Sequence, residues 1–209
     1  MAASMSSSSP CAARPEPSAR RVALLAGAGW LAWASVPCRA DPPHPVPPSV
    51  ERALGAARLS GSAELRWWGL DIYRAWLWVG PEGLDSDHLG AQPFALELRY
   101  ARSLRGADIA DKSAELIARL GLGSPAQLRA WRARMRAVFP DVRAGDTLLG
   151  LYLPGTPSGA RTRFLFDGRP VGSIEGRDFA QAFFSIWLSA RSSEPALRRA
   201  LLAGVEPTR

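Results

Sequence analysis

The spacing of apolar and polar positions changes period several times along this chain, and each change marks an element. Residues 94–102 alternate most plainly. Phe94, Leu96, Leu98 and Tyr100 fall on one face and Glu97 and Arg99 on the other, the period-two pattern of a half-buried strand. Residues 58–66 and 70–79 read as two further strands, joined at Trp67-Trp68-Gly69. Residues 108–120 have helical spacing and stop at Gly121. Ser124, with Pro125 at the first helical position and Gln127 three residues on, predicts a second, capped helix. Its apolar seam is Leu128, Trp131, Met135 and Val138 or Phe139, and Pro140 ends it. Strand patterns resume over 147–153 and 162–166, and Asp167-Gly168 is a two-residue hairpin signal before a short strand at 171–174. Asp178, followed by Gln181, is expected to cap a third helix with the stripe Phe179, Ala182, Phe183, Ile186 and Trp187. A last helix starts near Ser193 and buries Leu197 and Leu201. Strands, two helices, strands and two helices again make an α+β domain: a large antiparallel sheet with helices packed on one face.

The first forty residues follow another logic. Arg20 and Arg21 precede the uncharged apolar run 22–36, and Cys38-Arg39-Ala40 sets small residues before Asp41. This is the pattern of a secretory signal peptide cleaved after Ala40; the apolar run is shorter than the ~20 residues a membrane span needs. The expected location is therefore periplasmic or secreted. Residues 41–55 follow as a proline-rich lead-in, expected to be extended and solvated, and 56–209 form the single folded domain.

Removing that segment changes the charge argument. The whole chain carries a formal net charge of +7; residues 1–40 hold four arginines and one acid, so the remainder carries +4. Arginines are spread along it with no basic block, which speaks against a nucleic-acid partner. Both cysteines, Cys11 and Cys38, lie in the removed segment, so a disulfide framework and a thiol nucleophile are excluded from the domain. His44 and His88 are far apart in sequence, and no phosphate-cradling glycine loop or Gly-x-Ser-x-Gly elbow occurs. Neither a metal nor a cofactor is expected. Asp108, Asp111 and Glu115, with Lys112, read as a solvated helix surface.

The segment ELRWWGLDIYRAWLWVG holds the chemistry. Alternation places Leu70, Ile72, Arg74, Trp76 and Trp78 on one face, and Asp71, Tyr73, Ala75, Leu77 and Val79 on the other. Both faces are largely apolar, so the strand is expected to be covered twice, once by helices and once by more protein or a ligand. A guanidinium on such a face needs a partner. For Arg74 three remain open: a protein carboxylate such as Glu97 or Glu64, water at the sheet edge with the stem over tryptophan, or the acid group of a ligand. Tyr100 and Arg102, at the end of the next strand pattern, are candidates to reach the same place.

GLDIYRAWLWVG, FALELRYAR, FAQAFFSIWLS and SEPALRRALL, with Phe139-Pro140-Asp141-Val142 before Gly145-Asp146, together resemble the bacterial exported branch of the chalcone isomerase-like family over residues 59–202. The resemblance implies an open-faced sandwich, a large antiparallel sheet with helices on one side and a cleft between them. It also implies one of two activities: cofactor-free closure of a chalcone to a flavanone, or fatty-acid binding without chemistry. The family's isomerases use an arginine near the first strand, a threonine in the second, and a tyrosine and an asparagine after the third. Aligning on Ala75 puts Arg74 at the threonine position, and the first-strand arginine falls near Ser62, four residues from both Arg58 and Arg66. ARSLRGADIADKSAEL contains neither tyrosine nor asparagine. The reading is thus a non-catalytic binder of an amphipathic carboxylic acid such as a fatty acid. The ligand residues are Arg74, Tyr73, Trp76, Trp78, Tyr100, Arg102 and Lys112. The alternatives are an intramolecular lyase or isomerase acting on a chalcone-like phenolic, with Arg74 or Lys112 orienting the phenoxide, and a structural protein of the cell envelope.

Overall fold

The computed structural model describes residues 44–156 and 159–205. The proposed signal peptide therefore lies outside the described residues. Six strands follow one another in a meander: β1 (Arg58–Trp67), β2 (Leu70–Val79), β3 (Phe94–Tyr100), β4 (Thr147–Thr156), β5 (Gly159–Phe166) and β6 (Arg169–Glu175). Each pairs antiparallel with its sequence neighbour, in the order β1-β2-β3-β4-β5-β6. Two of the connections are two-residue hairpins with both turn residues at positive φ, Trp68 (52°) and Gly69 (75°) between β1 and β2, and Asp167 (47°) and Gly168 (76°) between β5 and β6. Such turns match the right-handed twist of the strands they join.

Among the described residues there are five helices: α1 (Pro48–Leu54), α2 (Gly106–Arg119), α3 (Pro125–Val138), α4 (Arg177–Leu188) and α5 (Pro195–Leu201). α3 has the expected capping box, with Ser124 Oγ accepting from Gln127 N and Gln127 Oε1 accepting from Ser124 N. α4 differs from expectation. Its N-cap is Gly176, whose φ of 106° suits glycine, and Asp178 lies inside the first turn as a dipole-favourable acid, without a side-chain cap.

α2 to α5 cover the sheet face formed by Ala75, Leu77, Phe94, Leu96, Leu98, Leu148, Tyr152 and Phe164. Phe179, Phe183, Phe184 and Trp187 of α4 interdigitate with that face, and Phe183 alone meets Phe139, Phe164, Phe179, Phe184 and Trp187. α5 reaches β1 by backbone proximity: Ser60 Oγ donates to the Leu201 carbonyl, and a Cβ on Gly61 would stand 2.0 Å from the Ala200 oxygen.

The lead-in departs from its expected extended, solvated form. Residues 48–54 are helical, and Val50 and Leu54 are buried with Trp76, Trp78, Ala95, Leu149, Leu151 and Leu165 on the opposite face of the sheet. The proline-rich composition suggests solvation, but Pro48 sits at the helix start, where its missing N–H costs nothing. The apolar positions 50 and 54 then share one face, which the tryptophan side of the sheet receives. Residues 43–209 form one unit that contains both hydrophobic clusters.

Candidate functional site

Strand register decides which of the sequence-derived candidates can meet. Arg74 of β2 lies directly opposite Arg99 of β3, and Tyr73 lies opposite Tyr100. Because side chains alternate, these two pairs occupy opposite faces of the sheet. Arg74 cannot share a ligand carboxylate with Tyr100, contrary to the grouping taken from the sequence. Arg102 follows the end of β3 and is exposed. Lys112 points away on α2, where its ammonium pairs with Glu115 at 3.0 Å. The candidate residues therefore divide among two faces and a helix surface.

On the face away from the main helix layer, Arg74 and Arg99 both approach the ring of Trp76, with guanidinium carbons 5.5 and 5.3 Å from its centroid. His44 stacks on the same indole, with ring centroids 4.1 Å apart. Glu97 shares this face and is 5% exposed. Its Oε2 accepts from Trp78 Nε1 at 3.1 Å and lies 3.0 Å from His44 Nε2. The nearest buried carboxylate is thus directed to the histidine and the indole. Glu64 of β1 stands opposite Arg74, with an oxygen 4.0 Å from Nη1. Of the three partners open for Arg74, a protein carboxylate is present in Glu64, and the indole of Trp76 lies beneath the guanidinium. Arg66 is tied to Asp71 at 2.6 Å and to Glu64 at 3.4 Å.

Two guanidinium groups directly opposite each other on neighbouring strands repel. Stacking on one indole offsets part of that repulsion, since the π face attracts a cation. Arg99 and His44 were not singled out from sequence. Alternation did place Arg99 on a polar face, but its position across from Arg74 depends on register, and His44 reaches Glu97 across 53 residues.

On the helix side, Tyr73 and Tyr100 stand edge to face, with centroids 6.0 Å apart, and Trp187 Nε1 donates to the Tyr73 hydroxyl at 2.8 Å. Burial raises the pKa of both phenols above its ordinary value of 10.0. For Tyr73 the indole hydrogen bond opposes this shift and the charge of Glu194 adds to it; for Tyr100 the neighbouring Tyr73 adds to it. Both phenols therefore stay protonated at neutral pH and can donate. Beside this side's apolar residues Leu96, Leu98, Leu148, Gly150, Phe164, Phe183 and Trp187 lies a void of only about 10 Å³. That is about the space of one water molecule, so at these residues side chains close the seam between sheet and helices.

A separate open concavity of about 560 Å³ lies at the sheet end, lined by residues that include Arg105, Asp141, Arg143, Asp146 and Asp167. Its carboxylates serve the loops: Asp141 accepts from Gly106 N, Asp146 from Arg143 N and Asp167 from Thr147 N.

A family model described as chalcone isomerase-like matches residues 56–203. Among curated proteins none matches the chain. The fold is similar to the crystal structure of an Arabidopsis thaliana fatty-acid binding protein, AtFAP1, with a TM-score of 0.53 and 12% sequence identity over 71% of this chain and 88% of that one.

Proposed function

We propose that this chain, which belongs to the chalcone isomerase-like family, is an exported, non-catalytic binder of an amphipathic carboxylic acid such as a fatty acid. The observation that carries the reading is the Arg74–Arg99 pair over Trp76. Its two forked donors suit a carboxylate, and charge-assisted hydrogen bonds from both would offset their mutual repulsion. The seam on the helix side is filled, so the tail lies on the outer face, over Ile72 and the exposed Leu70 toward the β1–β2 turn. The printed identity of the similar plant structure as a fatty-acid binding protein supports the ligand class. Export rests on the residue 1–40 pattern.

The test is to recover the protein from the periplasm, determine its mass, extract it into organic solvent and identify bound acids. A mature chain starting at Asp41 with a stoichiometric acid is expected. Arg74→Ala and Arg99→Ala should each weaken acid binding by about tenfold, because a hydrogen bond to a charged group is worth roughly 1.5–3 kcal/mol. Tyr100→Phe should leave binding unchanged. Loss of the acid in Tyr100→Phe but not in the arginine variants would move the site to the seam. A protein recovered without any acid would defeat the reading.

A further inference from the structure

We infer that the β1–β2 hairpin tip is an anchor for the interface of an anionic phospholipid bilayer. β3 follows β2 only as far as Ala101, whose N–H donates to the Ile72 carbonyl. The hairpin therefore extends beyond its neighbour by the residues between Ile72 and the turn, about 10 Å at the rise of a strand. At its end Trp67, Trp68 and Leu70 are 66%, 88% and 53% exposed, three of the five large apolar residues that are exposed among those described.

The turn chemistry singles out Trp68. The two described two-residue turns, β1–β2 and β5–β6, each place a non-glycine residue at φ near 50° before a glycine. The β5–β6 turn uses Asp167, a residue that tolerates this region through its short polar side chain. The β1–β2 turn uses tryptophan, a bulky residue for which positive φ is unfavourable. Folding alone would be better served by asparagine or aspartate there. A strained and solvated indole indicates a role outside the fold.

A bilayer interface fits what surrounds the tip. Indoles partition to the headgroup region, where the ring body is apolar and the N–H remains hydrated. Behind the tip stand Arg66, Arg74 and Arg99, with Glu64 and Asp71 beside them, and the exposed Arg102 follows β3; these guanidinium groups complement anionic headgroups. Insertion of the tip leaves the guanidinium groups behind it near the phosphate plane, in the position taken by arginines that flank interfacial aromatics. No helix among the described residues is long and apolar enough to cross a membrane.

The inference stands on the hairpin tip and the arginines behind it and does not depend on acid binding. It is tested by sedimenting the chain from residue 41, which contains the complete core unit 43–209, with vesicles of phosphatidylcholine and phosphatidylglycerol free of fatty acid. The parent is expected to bind, and to bind less as salt is raised. The double variant Trp67→Ser, Trp68→Ser is expected to partition at least about tenfold more weakly at an unchanged melting temperature, since neither side chain packs in the core. Equal partitioning of parent and variant would overturn the inference, as would a parent that does not bind. Self-association of the parent without lipid, lost in the double variant, would also overturn it by making a second copy the occupant.

Discussion

At the scale of single residues, charge placement separates stability from function. Glu97 is a buried acid whose Oε2 accepts from Trp78 and meets His44, so it holds the chain near residue 44 against the sheet. Asp111 of α2 illustrates the opposite case, a half-buried carboxylate bracketed by two arginines of α3. Its oxygens accept bidentate pairs from Arg132 at 2.7 Å and from Arg136 at 2.8 and 3.0 Å. The hydrogen bonds from Arg132 and then Arg136 hold its pKa well below the ordinary 3.8. A depressed folded pKa gives stability that is present above the unfolded value and lost as pH falls through the folded one. As pH drops below 3.8, the unfolded chain takes up a proton that the folded aspartate still refuses, and stability declines. Asp111→Asn is expected to flatten the fall of melting temperature on the acid side of 3.8 while lowering it at neutral pH. An acid limb identical to that of the parent would show that the pair carries no linkage.

At the scale of elements, the backbone approach between α5 and β1 is the most sensitive joint. A Cβ on Gly61 has no space, since it would stand 2.0 Å from the Ala200 oxygen and 2.7 Å from the Leu201 oxygen, both of the main chain. Backbone cannot step aside as a flexible side-chain tip can. Gly61→Ala must displace α5, together with the Ser60–Leu201 hydrogen bond and the Gly204–Ser60 backbone bond. The expected cost is about 2 kcal/mol or more, from overpacking plus a lost buried hydrogen bond, read from urea denaturation. An undiminished midpoint would mean that α5 docks independently of this contact.

At the scale of the molecule, the sheet has two cores of unequal size. The larger lies under α2 to α5, and the smaller is closed by α1, which precedes the region matched by the family model. Removing residues through 56 would uncover Trp76, Trp78, Leu149, Leu151 and Leu165, and forfeit the burial of Val50 and Leu54. At roughly 1.5–3 kcal/mol for each fully buried aliphatic side chain, a chain beginning at residue 57 should be less stable than one beginning at residue 43 by about 3 kcal/mol. Denaturant titration of the two chains measures this directly. Equal stability would mean that α1 is only laid on the surface.

All but one of the described elements, and the fold class, were legible in the sequence. Alternation in 70–79 and 94–102 assigned each side chain to a face, Ser124 and Gln127 placed the start of α3, and Asp167-Gly168 located a hairpin, because these signals are local and act over a few residues. The helix over residues 48–54 was missed because five prolines in residues 41–49 suggest a solvated chain, whereas burial of Val50 and Leu54 supplies the stabilisation that so short a helix lacks alone. The candidate site was only half legible. Face assignment could relate Arg74 to Trp76, but not to Arg99, His44 or Glu97. Those relations come from strand register and from contact across dozens of residues, and a one-residue slip would reverse every face. Tertiary structure alone therefore separated Arg74 from Tyr100, filled the helix-side seam with phenylalanines, and left two tryptophans at a hairpin end in water.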